Sequence, residues 1–347
     1  MIRRAAFAAV FLLAAGAVVF PGRPASGASG GFRVLQRVTL GGDGRWDYLS
    51  IDPAARRLYI SRSTHVMIVD ADSLKPVGEI PGTEGIHGIA LVPDLSLAFT
   101  SNGTTATSTV SDTKSLRAVS TVKVTGEKPD AIIYDPATRR VWTFNGRGEN
   151  ATAIDAADRK VAGTVALGGS PEFATSDGAG HIYVNLEDKS EVVAINAKSL
   201  AVEHHWPLAP CQEPSGMAID REHRRLFSGC RNKMMAVMDA DSGKVVATVP
   251  IGSGVDANAF DAEAGLAFSS NGDGTLTVVH EDSPNQYAVV QNVPTERGAR
   301  TMALDPKTHR IYLVTAKFGP VPAPTASDPH PRPAMEPGSF LLLVVGH

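Results

Sequence analysis

Several signatures of familiar chemistry are missing from this 347-residue chain. It has no His-Glu-x-x-His zinc motif, no phosphate-cradling glycine loop and no Cys-x-x-Cys pair. The absence of Cys-x-x-Cys-His excludes covalently attached haem. Charge of one sign is lacking too, with 33 basic against 36 acidic side chains and a formal net charge of −3. Such a chain is a poor electrostatic match to nucleic acid or to an anionic membrane surface. After residue 28 no apolar run is long enough to span a bilayer.

Glycine and proline, by contrast, are plentiful at 33 and 23 residues, which favours a turn-rich fold over one of long helices. At the N-terminus, Arg3 and Arg4 precede an apolar run from Ala5 to Phe20, then Pro21–Pro24 and the small residues Ala25-Ser26-Gly27-Ala28. That order describes a secretory signal peptide over residues 1–28, with an uncleaved anchor as the alternative. The expected location is periplasmic or extracellular. Removing residues 1–28 takes away three arginines and leaves a net charge of −6.

Internal repeats decide the fold class. An apolar–Asp–Pro segment recurs as Ile51-Asp52-Pro53, Val92-Pro93, Tyr134-Asp135-Pro136, Asp177, Ile219-Asp220, Phe260-Asp261 and Leu304-Asp305-Pro306. A few residues later comes an aromatic: Tyr59, Phe99, Trp142, Tyr183, Phe227, Phe268 and Tyr312, spaced 40 to 44 residues apart. Each unit divides into four short strands. Strand A leads to the Asp turn (Trp46–Ile51), B carries the aromatic (Arg57–Ser61), C alternates (His65–Val69, Met234–Met238), and D ends near glycine (Pro76–Gly82). The C–D turns are expected at Asp70–Ser73, Asp112–Ser115, Asp155–Asp158, Asn196–Ser199, Asp239–Gly243 and His280–Ser283, where Asp and Asn bond nearby backbone.

Four strands per unit and seven units predict an all-β, seven-bladed β-propeller of four-stranded antiparallel blades over residues 31–347. The N-terminal Phe32–Gly42 reads as a lone strand D and the C-terminal Ser339–Val345 as a strand C, so the two chain ends should share the seventh blade. The aromatic column should fill the core between blades. A Pro-rich stretch, Gly319–Pro337, interrupts that last blade and reads as an extended loop, open to a partner or simply a surface. A monomer is expected.

Strand A lies innermost in a propeller, so its first residues reach one mouth of the channel. Five positions before each turn stand Asp47, His87, Asp130, Glu172, Ser215, Asp256 and Arg300, all polar. Loops such as Ser101-Asn102-Gly103, Phe144-Asn145-Gly146 and Ser270-Asn271-Gly272 reach the same face. The seven are the candidate ligand-binding residues, and Asp130, Glu172 and Asp256 the candidate metal ligands, hard oxygen donors that suit Ca²⁺ or Mg²⁺. A merely wet channel mouth is the plain alternative. Trp46, Tyr48 and Phe173 either wall a ligand or pack between blades. Cys211 and Cys230 fall on one face, and in an exported chain a disulfide is the default, with free thiols or a soft-metal site as alternatives. His204-His205 reads as a surface pair.

The units Asp52-Pro53 with Arg57-Leu58-Tyr59-Ile60, Asp135-Pro136 with Arg140-Val141-Trp142-Thr143, and Asp305-Pro306 with Arg310-Ile311-Tyr312-Leu313 resemble the YVTN-repeat propellers, the YncE-like exported bacterial proteins. Lys317-Phe318-Gly319-Pro320, Pro337-Gly338-Ser339-Phe340 and Val344-Val345-Gly346 are similar to that family as well. The resemblance implies an exported propeller and transfers no functional residues. Lactonase-type and streptogramin-lyase-type propellers are more distant likenesses. They hold a divalent metal at the channel mouth, but their pattern is only partly present, and lyase-type catalytic histidines are unmatched. Two functions follow: a non-enzymatic binding or scaffold protein for a partner or small ligand, or a metal-assisted hydrolase or lyase at the mouth.

Overall fold

The computed structural model describes residues 30–325, 331 and 333–347. The expected signal peptide lies outside the described residues. Within them, 28 strands form seven four-stranded antiparallel sheets. Six sheets run in simple chain order. The seventh places Arg33–Thr39 outside Leu341–Gly346, Arg310–Thr315 and Met302–Asp305, so the two chain ends share blade seven as the repeats predict. Strand A of every blade packs against strand A of the next, and these contacts close into a ring.

The turn residues act as their chemistry demands. Asp52 Oδ1 accepts the backbone N–H groups of Ala54 (3.0 Å) and Ala55 (2.8 Å), and Asp70 Oδ1 accepts that of Ser73 (2.7 Å). Blade two has Val92 where the other blades have the turn Asp, and makes a short 3₁₀ turn at Pro93–Leu95. Two expected boundaries shift. Strand A of blade one begins at Leu49 rather than Trp46. In blade six the C–D turn is not at His280–Ser283: strands Thr275–Ser283 and Gln286–Pro294 run on past that point and turn at Pro284-Asn285. The sequence there, His-Glu-Asp-Ser, lacks an Asp or Asn at the position that caps the other C–D turns.

The aromatic column is buried, from 0% to 2% exposed, and it joins blades. Trp142 of blade three shares a core cluster with Ala174, Ile182 and Val184 of blade four; Tyr312 of blade seven shares one with Leu49, Leu58 and Ile60 of blade one. Truncating one such ring to alanine costs about 3–5 kcal/mol.

Every outer C–D pair also breaks register at an equivalent place, and that of blade six breaks a second time between Glu281 and Ser283. The shared break leaves Leu35, Val77, Val119, Ala162, Glu203, Val246 and Val290 without a partner. These are β-bulges, which twist an edge strand away from further pairing.

Two further devices fasten the ring. Cys211, in the loop leading into blade five, forms a disulfide with Cys230 at the end of that blade's strand B, the Cα atoms 5.5 Å apart. The Arg62 guanidinium is fully buried and donates to the carbonyls of Gly41, Gly42, Asp43 and Gly44, the chain that crosses from blade seven to blade one. It lies 3.7 Å from the centre of the Phe340 ring. Burial pulls its pKa down to about 10. The Pro-rich stretch is pinned at its base, where Gly319 N–H donates to Ala334 O and Glu336 N–H to Lys317 O.

Candidate functional site: the channel mouth

In blades two to six the ring residue is the second of strand A: His87, Asp130, Glu172, Ser215 and Asp256. Asp47 and Arg300 stand two residues ahead of their shorter A strands. Proline precedes the ring residue in blades three, four and five, where a strand's first position tolerates a missing N–H. Side chains from strand B hold these backbones in place. Ser61 Oγ accepts Asp47 N–H (2.8 Å), Ser101 Oγ donates to Asp130 O, Asn185 Nδ2 donates to Ser215 O (2.8 Å), and Ser270 Oγ donates to Arg300 O.

All seven ring residues line one cavity of about 540 Å³. They sort into two charged groups. In the first, His87 Nδ1 lies 2.6 Å from Asp47 Oδ2 and 3.2 Å from Asp130 Oδ1, and Lys128 Nζ lies 3.4 Å from Asp130 Oδ2. In the second, Arg300 Nε lies 3.0 Å from Asp256 Oδ2, and Ser215 Oγ reaches Asp256 Oδ1 at 3.1 Å and Glu172 Oε1 at 3.5 Å. The ligand atoms of Asp47, His87 and Asp130 all lie within 4.8 Å of one another. The expected trio of Asp130, Glu172 and Asp256 is not gathered this way among the described residues. Asp130 sits with its neighbours from blades one and two, while Glu172 and Asp256 meet through Ser215.

Tyr48 and Phe173 come from blades one and four, across the channel, and their ring centroids are 4.9 Å apart. Each follows a ring residue, Asp47 and Glu172, by one position, and Tyr48 lines the cavity. Trp46 also lines the cavity and packs on Phe318 (5.9 Å) and Phe340 (5.4 Å). Gly103 lets His87 sit close, since a Cβ there would lie 2.9 Å from Nε2. The His87 ring is thus held between two carboxylates on one edge and backbone on the other.

Burial pushes the Asp256 carboxyl up to about 7, against the pull of Arg300. Glu172 is raised well above the usual carboxylate range, by burial and then by Asp130 and Asp256. Asp130 is raised by burial, opposed by His87. Burial also works against a charged His87, but the Asp47 hydrogen bond and the Asp130 charge outweigh it and raise its pKa. Among the described residues Glu172 has no salt-bridge partner.

The cavity also takes in Arg45, Lys128, Glu187, Glu213 and Arg231, which sequence reasoning missed. A signal for them existed. Arg45, Lys128 and Glu213 stand two residues before a ring residue, and Glu187 and Arg231 stand just after a strand B. Elsewhere, His204 stacks on Trp206 at 5.0 Å and His205 meets Glu191 at 3.2 Å on exposed surface, away from the mouth.

No protein-family model matches the chain, and no curated protein does. Solved structures are similar. A chain of Kuenenia stuttgartiensis hydrazine synthase aligns with TM-score 0.68 at 16% identity, covering 77% of this chain and 91% of its own. The WD40 repeats of RRP9 align with TM-score 0.73 at 9% identity, covering 92% and 98%. A chain of a mitotic checkpoint complex aligns with TM-score 0.74 at 13% identity, covering 99% of both. These likenesses are likenesses of fold. The chain is a seven-bladed propeller, and its chemistry has to be read from its own mouth.

Proposed function

We propose that this chain is an exported, non-enzymatic binding protein that takes a small ligand with a cationic group at the channel mouth. The observation that carries this reading is Glu172. It is a deeply placed carboxylate among Asp47, Asp130 and Asp256, with Tyr48 lining the same cavity and no salt-bridge partner of its own among the described residues. A ligand ammonium or guanidinium supplies the missing charge, and the Trp46 and Tyr48 rings on the cavity wall suit its carbon skeleton. Export is supported by the character of residues 1–28 and by the disulfide, which suits an oxidising compartment. The likeness to YVTN-repeat, YncE-like proteins points the same way. A protein partner is the other form of this reading, since a similar propeller belongs to a mitotic checkpoint complex.

Calorimetric titration with a panel of amines and guanidines tests the proposal, with carboxylic acids of matched size as controls. At least one cationic compound should bind, and Glu172→Gln should weaken it by roughly 10- to 100-fold. Preferential binding of the carboxylic acids, or cation binding indifferent to Glu172→Gln, would overturn it.

A metal-assisted hydrolase or lyase is the second reading. It is favoured by the cluster of Asp47, His87 and Asp130, which would hold a divalent ion, with Glu172 and Asp256 facing the same cavity. Such an ion supplies Lewis-acid polarisation of a carbonyl. Against it stands the His87 ring, whose Nδ1 is already engaged by two carboxylates and whose Nε2 lies near Gly103, so the imidazole is not free to act as a base.

A further inference from the structure

The face opposite the mouth carries a second cluster of metal-ligating side chains, at the seam between blades five and six. Asp220 ends strand A of blade five, His223 stands in the A–B turn after it, and Glu281 comes from strand C of blade six. Their donor atoms lie within 4.8 Å of one another. His223 Nδ1 is 2.7 Å from Asp220 Oδ2 and 3.2 Å from Glu281 Oε1.

What sets this spot apart is a break in the repeat. Strand C elsewhere ends on the residue that caps the C–D turn, as Asp239 does in blade five. In blade six the strand runs through His280 to Ser283, and the extra length carries Glu281 against the neighbouring blade. Arg225 of blade five fixes the hairpin tip, donating to Pro284 O (2.7 Å) and Asn285 Oδ1 (3.0 Å).

The Glu281 side chain is 5% exposed and that of Asp220 2% exposed. Buried carboxylates on this face otherwise have donors to match. Asp305 has the Lys307 amide, the Thr308 hydroxyl and Arg56; Asp177 has the Ala179 and His181 amides and Arg224. Glu281 differs. Among the described residues, no backbone amide, Arg or Lys reaches either of its oxygens, and besides His223 it has the Tyr287 hydroxyl, which donates to Oε1 at 3.3 Å. Asp220 also accepts the backbone N–H groups of Glu222 (2.9 Å) and His223 (3.2 Å), which leaves Glu281 the less well matched of the two carboxylates.

We propose that Asp220, His223 and Glu281 bind a single divalent transition-metal ion of the Zn²⁺ class, joining blade six to blade five. One imidazole nitrogen with two carboxylate oxygens is a donor set suited to Zn²⁺ rather than to Ca²⁺ or Mg²⁺, which take oxygen. The His223 side chain is 43% exposed, so the ion has a way in and a position open to water. The ion takes the place of the proton on Nδ1 and draws both carboxylates to one centre.

Tag-free protein stripped with EDTA and dialysed is titrated with ZnCl₂ by calorimetry, with bound metal counted by mass spectrometry. Zinc should bind at this site and raise the melting temperature. His223→Gln and Glu281→Gln should each weaken that event by roughly tenfold or more, while His87→Gln at the mouth leaves it intact. His223→Gln alters a partly exposed side chain, so it keeps the test valid if Glu281→Gln folds poorly. Absence of zinc uptake by the stripped protein, uptake indifferent to His223→Gln, or uptake lost only with His87→Gln would each overturn the proposal.

Discussion

The two faces of the propeller use carboxylates in opposite ways. On the turn face nearly every acid belongs to its own turn and finds amide and hydroxyl donors within three or four residues, often with an arginine from the next blade. At the mouth the acids come from different blades and are brought together by ring closure. Their backbones are held firmly, but their charges are only partly matched. The lesson is that local sequence satisfies the first set, whereas the second is an outcome of the ring, and residual charge of that kind is where a ligand finds something to do.

The largest effect should come from breaking a satisfied acid. Asp305→Ala removes a fully buried carboxylate that holds Arg56 of blade one at 2.6 Å. Urea unfolding should show a loss of about 3 kcal/mol. A loss below ~1 kcal/mol would mean that turn-face acids are no better integrated than mouth acids.

The next effect has the opposite sign. The folded Glu172 carboxyl has a pKa above its unfolded value, so the folded state keeps the proton to higher pH. This group's contribution to stability is therefore full below the ordinary carboxylate pKa and falls as pH rises through the folded value. Asp256, raised to about 7, acts in the same direction. Glu172→Gln keeps the neutral form at every pH. It should melt roughly 2–4 °C above the native protein at pH 8 and close to it at pH 4.5. A gain that does not change between those pH values would show that desolvated charge is not the cause.

The smallest effect belongs to Lys128→Gln. This lysine is about half exposed and its contact with Asp130 is 3.4 Å long, so the change should cost less than about 0.5 kcal/mol in the same urea assay. A much larger loss would place the mouth's ion pairs among the structural ones.

Much of this was legible beforehand because the repeat is rigid. The aromatic column and the Asp turns recur at fixed height, so counting back five residues from each turn found the seven ring residues of the mouth, though not Arg45, Lys128, Glu187, Glu213 or Arg231 around them. Which of them would pair was not legible, since partners such as Asp47 and His87, or Ser215 and Asp256, depend on how far the ring brings neighbouring blades together. The contact of Tyr48 with Phe173 depends on the diameter of the channel. Arg62 gave no sign of burial, standing between Ser61 at the end of strand B and the polar Ser63-Thr64. The blade-six hairpin was misplaced because His280 stands where an Asp or Asn usually marks the turn.

The bulge repeated in all seven outer strands bears on how the molecule meets its surroundings. A propeller has no top-level barrier against strand addition except at its perimeter, where seven backbones end in solvent. With each of those edges kinked at the same latitude, an extended chain arriving from the side finds no continuous line of amides and carbonyls to copy. The circumference therefore offers no ready line for strand addition, and the two flat ends carry different chemistry, which gives the disc a direction.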